Sequence, residues 1–205
     1  RYILNQILEL LDDERPDALL IAGDVYDRAN PTADAMELLD DFLSALAQRG
    51  VCTMIISGNH DSPERLAYAR RFFENRNIHI APVYHGHVEP IVLSDEHGEV
   101  CFYLMPYVHP DSVGAFFMDK TIRNAQDAAQ AVIGEMEIDS GKRNVILSHQ
   151  FIIGGTTSDS ERRNIGTLEN VDAALYDAFD YVALGHLHRP QNVGRGDGTM
   201  RYCGT

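Results

Sequence analysis

Long apolar runs are missing from this 205-residue sequence. Nowhere does it approach the roughly 20 consecutive apolar residues that a membrane-crossing helix needs. Its opening, Arg1-Tyr2-Ile3-Leu4, lacks the basic-then-apolar order of a secretory signal, so the piece reads as soluble, with no membrane partner. Cysteine is scarce too. Cys52, Cys101 and Cys203 are odd in number, far apart and set beside β-prone residues such as Val51, Val100 and Tyr202. That spacing argues against a disulfide framework and predicts buried, reduced thiols in a cytoplasmic compartment. Cations are outnumbered: 17 Lys and Arg against 31 Asp and Glu leave a formal net charge of −14. A protein that grips nucleic acid unaided shows the reverse balance. The basic residues that are present are bunched, at Arg65, Arg70, Arg71 and Arg76 and at Glu161-Arg162-Arg163, which leaves a local basic groove open as a reading.

What is there is ordinary globular material, 44% apolar and 23% charged, without internal repeat or low-complexity linker, and it makes one domain with a sizeable core. Both ends of this 1–205 domain read as cut. The chain enters directly into an amphipathic helix, with Ile3, Ile7, Leu8, Leu10 and Leu11 on one face and Pro16 as a stop, and no strand precedes it. At the far end Met200-Arg201-Tyr202-Cys203 reads as a strand that stops within its turn.

Between the ends, helical and strand patterns alternate. Ala18–Ala22 and Val51–Ile56 read as buried strands. Thr32–Arg49 reads as a helix with Met36, Leu39, Leu43 and Leu46 inward and Gly50 as its cap. A second helix over Pro63–Phe73 and a strand at Ile78–Ile80 continue this βαβ order. Pro90–Leu93 and Val100–Met105 suggest a hairpin with a longer loop, and Asn124–Ile138 a further helix. Asn144–Leu147, Tyr181–Leu184, Gln191–Val193 and Met200–Cys203 follow as strands, with a Gly/Ser/Thr/Asp-rich loop over Gly154–Ser160.

Polar clusters close four of the apolar runs: Gly23-Asp24-Val25-Tyr26-Asp27, Gly58-Asn59-His60-Asp61, His149, and Gly185-His186-Leu187-His188. Carboxylate, amide oxygen and imidazole are the donor mixture that binds a pair of divalent first-row ions, and in open α/β sheets ligands bind beyond the carboxyl ends of strands. Glycine at three of the strand exits lets the chain turn sharply and bring the next side chain against an ion. Taken singly, each cluster has a plainer reading. Asp24 is a turn or cap aspartate, Asn59-His60-Asp61 is turn chemistry, and His149 is a hydrogen-bonded core histidine. Their repetition at strand ends favours ligation. Tyr84-His85-Gly86-His87 imitates a ligand pair, but nothing corroborates it and it reads as loop surface; His79, His97 and His109 also remain outside the motifs.

These motifs resemble the calcineurin-like metallophosphoesterase superfamily, whose set runs Asp-x-His, Gly-Asp-x-x-Asp, Gly-Asn-His-Asp, a strand-end His and Gly-His-x-His. Four of the five are here. Longer flanks, Leu20–Arg28, Gly58–Leu66, Ser158-Asp159-Ser160-Glu161-Arg162 and Phe179–His188, are similar to the SbcD-type nuclease subunits of bacterial SbcCD complexes. The resemblance implies an α/β fold, a sandwich of two mixed β-sheets flanked by helices, here lacking its first strand. It implies two divalent ions, manganese first with iron or zinc as alternatives. Asp24 bridges them, Asn59, His149 and His186 complete one, and His188 contributes to the other. The Asp-x-His motif is absent, so the second ion is expected to be weak or missing and the activity of this piece impaired.

His60 follows a ligand and is expected to act on the substrate phosphate or leaving oxygen, oriented by Asp27 with Asp61 as a competing partner. Arg28 is a candidate phosphate contact, or simply a surface arginine. The implied function is hydrolysis of DNA phosphodiesters in end processing and repair, with an SbcC-type ATPase as partner and a homodimer at full length. Two other readings stand beside it. One is a phosphodiesterase for a nucleotide or other small ester, which shares every ligand. The other is a non-catalytic scaffold for DNA or a partner.

Overall fold

The computed structural model describes residues 1–68, 70–157, 169–194 and 196–204. The 158–162 motif, the last part of the loop read at Gly154–Ser160 and the Glu161-Arg162-Arg163 cluster lie outside these. The chain begins with α1 (Tyr2–Glu14), closed by Arg15 in the left-handed region (φ 48°) just before Pro16. Its inward face is Leu4, Ile7, Leu8 and Leu11, whereas Ile3 and Leu10, expected inward, are exposed. Then come β1 (Ala18–Ala22), α2 (Ala33–Arg49) and β2 (Cys52–Ile56). The Thr32 hydroxyl caps α2 by accepting from Ala35 N, and Gly50 (φ 70°) closes it by donating to Leu46 O. Phe42, Leu43 and Leu46 are its buried residues, and Met36 faces out. Arg49 donates twice to Asp12, both bonds 2.8 Å, and so ties α2 to α1.

The single helix read over Pro63–Phe73 is instead two short ones, α3 (Pro63–Leu66) and α4 (Arg70–Glu74). Among the described residues of this stretch, Leu66 and Phe73 pack inward while Tyr68 and Phe72 are exposed, so the apolar face of a longer helix is broken. β3 (Ile78–Ala81) follows, then β4 (Ile91–Asp95) and β5 (Gly98–Met105). The last two form the antiparallel hairpin, with a tight turn at Glu96-His97 in place of the longer loop. The remaining elements are α5 (Pro110–Gly114), α6 (Ala125–Gly134), β6 (Arg143–His149), β7 (Phe151–Ile152), β8 (Asn170–Val171), a 3-10 turn at Ala173–Tyr176, β9 (Tyr181–Gly185), β10 (Gln191–Asn192) and β11 (Met200–Tyr202). The helix read to Ile138 ends early, and Met136 beyond it drops into the core.

Two sheets make the sandwich that the resemblance implied. The smaller, β1-β2-β3, is wholly parallel; the larger, β10-β11-β9-β6-β5-β4, is mixed; β7 and β8 pair separately. Strand alternation explains why β1 and β2 are apolar throughout. Cys52, Met54, Ile56, Ala18 and Leu20 meet Leu104 and Leu147 between the sheets, while Ile55, Leu19 and Ile21 face α1 and α2. A third core covers the outer face of the large sheet beneath α5 and α6. All three cysteines are free, but only Cys52 and Cys101 are buried; Cys203 is exposed. Among the described residues no helix is long and apolar enough to cross a membrane.

Candidate metal centre

Four strands from both sheets end at one place. β1 delivers Asp24, β2 delivers Asn59 and His60, β6 ends in His149, and β9 leads into His186. The sheets are stitched together there by His149, whose Nδ1 lies 2.7 Å from the carbonyl oxygen of Ala22. Close approach explains the glycines. A Cβ at Gly58 would run into the Asp24 carboxylate, one at Gly23 into His149, and one at Gly185 into the Ala22 carbonyl. Two site residues that are not glycine carry the same demand: Asp24 has φ 47° and His186 φ 100°. Left-handed backbone of this kind costs on the order of 1–3 kcal/mol per residue and clusters at functional sites.

The donor atoms converge. His149 Nε2 is 3.1 Å from Asn59 Oδ1 and 3.3 Å from Asp24 Oδ2, and His186 Nδ1 is 3.1 Å from the same Asn59 oxygen. The two imidazoles meet edge to face, ring centres 5.2 Å apart. An ion with ligands at about 2.1 Å separates neighbouring donors by roughly 3.0 Å in an octahedron and 3.4 Å in a tetrahedron. The observed spacings fall in that interval.

The protons make the same point. A carbonyl only accepts, so His149 Nδ1 must donate to Ala22, and its Nε2 lone pair then points at the oxygens of Asn59 and Asp24. Lone pair against lone pair is relieved only by a proton or a metal cation between them. The residues therefore fit a divalent ion. Among the described residues there is no group of three or more His, Cys, Asp or Glu placed to hold a metal ion. Burial pushes the Asp24 carboxyl up, but the His60 N–H (3.0 Å) and, whenever a proton occupies the gap to His149, the hydrogen bond and charge of that imidazolium outweigh it and hold the group below the ordinary carboxylate range.

His188 lines, with Asp24, Asp27, His149 and His186, a cavity of about 410 Å³ whose remaining wall is mainly apolar, with Leu4, Ile7, Leu19 and Phe42. This cavity runs beside β1, which is the edge strand of its sheet. His60 is exposed and its Nδ1 lies 3.0 Å from the Asp27 backbone carbonyl. The Asp27 carboxylate, expected to orient it, is turned to Arg28 instead, 3.0 Å away and exposed. Arg28 is thereby occupied. Asp61 is not a partner of His60 either. It is buried and accepts from the backbone N–H groups of Val25, Tyr26 and Gly58 (3.1, 2.8 and 2.8 Å), pinning the β1 and β2 exits together. Burial nonetheless raises its carboxyl above the usual range.

Two flanking rings went unread in the sequence. Tyr107 stands edge to face with His149 (6.3 Å, 84°) and Phe151 with His186 (6.3 Å, 86°). Tyr107 lies just past the end of β5, so the strand-end rule that found the ligands points to it as well. Burial, then the Glu169 and Asp24 carboxylates, push its phenol above the ordinary value. His87 sits on the surface beside Glu89, and His85 lines a separate surface pocket with Arg70 and Arg71, apart from the four strand ends.

Known proteins match this arrangement over most of its length. The calcineurin-like phosphoesterase profile covers residues 1–190. The SbcD subunit of nuclease SbcCD from Staphylococcus saprophyticus subsp. saprophyticus is 38% identical over 196 residues, 94% of this chain and 51% of the relative. Its counterpart from Staphylococcus epidermidis is 38% identical over 209 residues, 100% of this chain and 54% of the relative. The chain thus spans about half the length of the curated relatives it matches. The crystal structure of TT1561 of Thermus thermophilus superposes with a TM-score of 0.58 at 12% identity, covering 98% of this chain and 82% of that one. The profile match and the two staphylococcal relatives place the chain in the calcineurin-like phosphoesterase family, whose members use divalent metals.

Proposed function

We propose that this chain is the catalytic part of a metal-dependent DNA nuclease of the SbcD type, acting in DNA end processing and repair. The observation that carries the reading is the meeting of Asp24, Asn59, His149 and His186 at four strand ends, with the His149 lone pair facing two oxygens. Divalent ions there, manganese first and iron or zinc as alternatives, would neutralise the phosphate and acidify a water for in-line attack. Asp24, Asn59, His149 and His186 hold the first ion. Asp24 and His188 face the second, which needs further ligands, and the apolar cavity along the free edge of β1 is where an additional strand would pair and supply them. Without that strand the second ion is weak and hydrolysis impaired. His60, its ring held by the Asp27 carbonyl, faces out to the substrate and neutralises phosphate or gives a proton to the leaving oxygen.

The acid-rich composition suits a protein that draws DNA affinity from an SbcC-type ATPase and from its own dimer mate. Free thiols accord with the cytoplasm. The test is hydrolysis by the full-length protein with Mn²⁺, using linear and hairpin DNA beside bis-p-nitrophenyl phosphate. We expect cleavage of DNA that Asp24→Asn abolishes. Cleavage of small esters alone would support the small-substrate phosphodiesterase, and bound metal without any turnover the scaffold.

A further inference from the structure

We propose that Tyr107 is a substrate-binding residue of this centre, its hydroxyl donating to a non-bridging oxygen of the phosphate held there; this rests on the phosphodiester reading above. The residue follows β5, and β5 lies beside β6, which ends in His149. Its backbone is fixed to the ligand loop, because Tyr107 N donates to Ser57 O at 3.0 Å, two residues before Asn59. Its ring is fixed to the ligand itself, edge to face against His149. The residue is half-buried.

The hydroxyl is the unexplained part. Tyr103, Tyr176 and Tyr202, the large phenols packed into the body, all have partners: Glu137 O at 2.9 Å, Ser148 Oγ at 2.8 Å and Gln150 O at 2.7 Å. Tyr84, also unmatched, is enclosed by Phe116 and Phe117. Tyr107 alone among these sits beside a ligand histidine, and among the described residues its hydroxyl has no hydrogen-bond partner. Packing against His149 accounts for the ring, and the half-exposed position leaves the hydroxyl, unlike those of Tyr103, Tyr176 and Tyr202, open to a bound group. An ester phosphate brings charged oxygens to that place, and a neutral donor there adds affinity without competing for the ion.

The experiment is Tyr107→Phe in the full-length protein, which removes the oxygen and keeps the ring. Inorganic phosphate is titrated in the presence of Zn²⁺, and KM and kcat are measured on DNA with Mn²⁺. We expect phosphate affinity to fall by about tenfold or more, the scale of a hydrogen bond to a charged group, with KM rising in step and metal affinity unchanged. Phosphate affinity equal to that of the wild type would overturn the proposal and leave the ring as packing only. A wild-type protein that binds phosphate and cleaves DNA while Y107F does the same sinks this inference alone. A wild type that does neither sinks the hydrolytic reading beneath it. Should Y107F fail to fold, ¹³Cζ-labelled tyrosine in the wild type decides: phosphate must move one Tyr resonance, and no shift refutes the contact.

Discussion

Replacing Gly185 with Ala tests whether the two sheets must touch for the ligands to meet. Gly185 ends β9 in ordinary backbone, so the substitution acts through volume alone. The added methyl collides with the Ala22 carbonyl oxygen and comes within 2.8 Å of both the Ala22 carbonyl carbon and His149 Nδ1. Those are the partners of the 2.7 Å hydrogen bond that sets the His149 tautomer. Because the obstacle is backbone, relief requires β1 and β9 to separate. Overpacking of this kind costs about 1–3 kcal/mol and the lost hydrogen bond about 1 more, giving about 3 kcal/mol in all. For a domain of this size that lowers Tm by about 6–12 °C. Release of the His149 ring should also weaken metal affinity by about 10–100-fold. Gly134→Ala is the control: nothing lies within 4 Å of its added methyl at the end of α6, and it should be neutral or stabilise by up to about 1 kcal/mol. Urea unfolding followed by circular dichroism, with Mn²⁺ titration calorimetry, measures both quantities. A Gly185→Ala protein as stable and as metal-avid as Gly134→Ala would refute the reasoning.

Two further outcomes separate side chain from backbone and structure from chemistry. His60→Gln should lower kcat on DNA by about 10²–10⁴-fold with metal affinity unchanged, while Asp27→Ala should change the rate by less than about fivefold, because its carboxylate is engaged only in an exposed ion pair; equal losses in both variants would restore the carboxylate as the orienting group. At the opposite end of the sandwich, Arg143 donates to both oxygens of Asp95, and that bond holds the Asp95 carboxyl down at about 2. A depressed carboxylate stabilises the fold above its unfolded value near 4 and ceases to do so as pH falls through 2. Arg143→Gln should therefore flatten the loss of Tm between pH 4 and pH 2, and an unaltered acid slope would show that the pair contributes nothing.

The residues that meet at the four strand ends were legible because their signal is local. Each sits at the end of an apolar run, and the glycine beside it marks a close approach that a methyl would block. Helix ends were equally local, as Thr32 and Gly50 show. What the sequence hid depends on contacts between distant segments. Nothing near Pro63 announces that α3 stops after Leu66, since the decision lies in which of Leu66, Tyr68, Phe72 and Phe73 finds a partner across space. Asp61 looked like an orienting carboxylate for His60, but its geometry turns it to three backbone N–H groups. Asp27 meets His60 through a main-chain carbonyl, a group present at every residue, while its carboxylate pairs with Arg28, and no side-chain signal announces that division. Tyr107 was missed because an aromatic residue after a strand reads as core until its ring is seen against His149 and its hydroxyl without a partner among the described residues.

The strain at Asp24 and His186 bears on how the centre is kept assembled. Each left-handed residue opposes folding, as does a His149 nitrogen that faces two oxygens. Opposing them are the Asp61 clamp on the β1 and β2 exits and the bond from His149 to Ala22 across the sheets, both of which act without any ion. Protein groups alone make these bonds, so the fold itself positions the donor atoms. A cation relieves the lone-pair conflict while the clamp bonds stay in place. Metal should then add stability through mass action on a site already formed, by about 2.7 kcal/mol at a hundredfold excess over Kd, and leave the backbone pairing of β1 with β2 as it is.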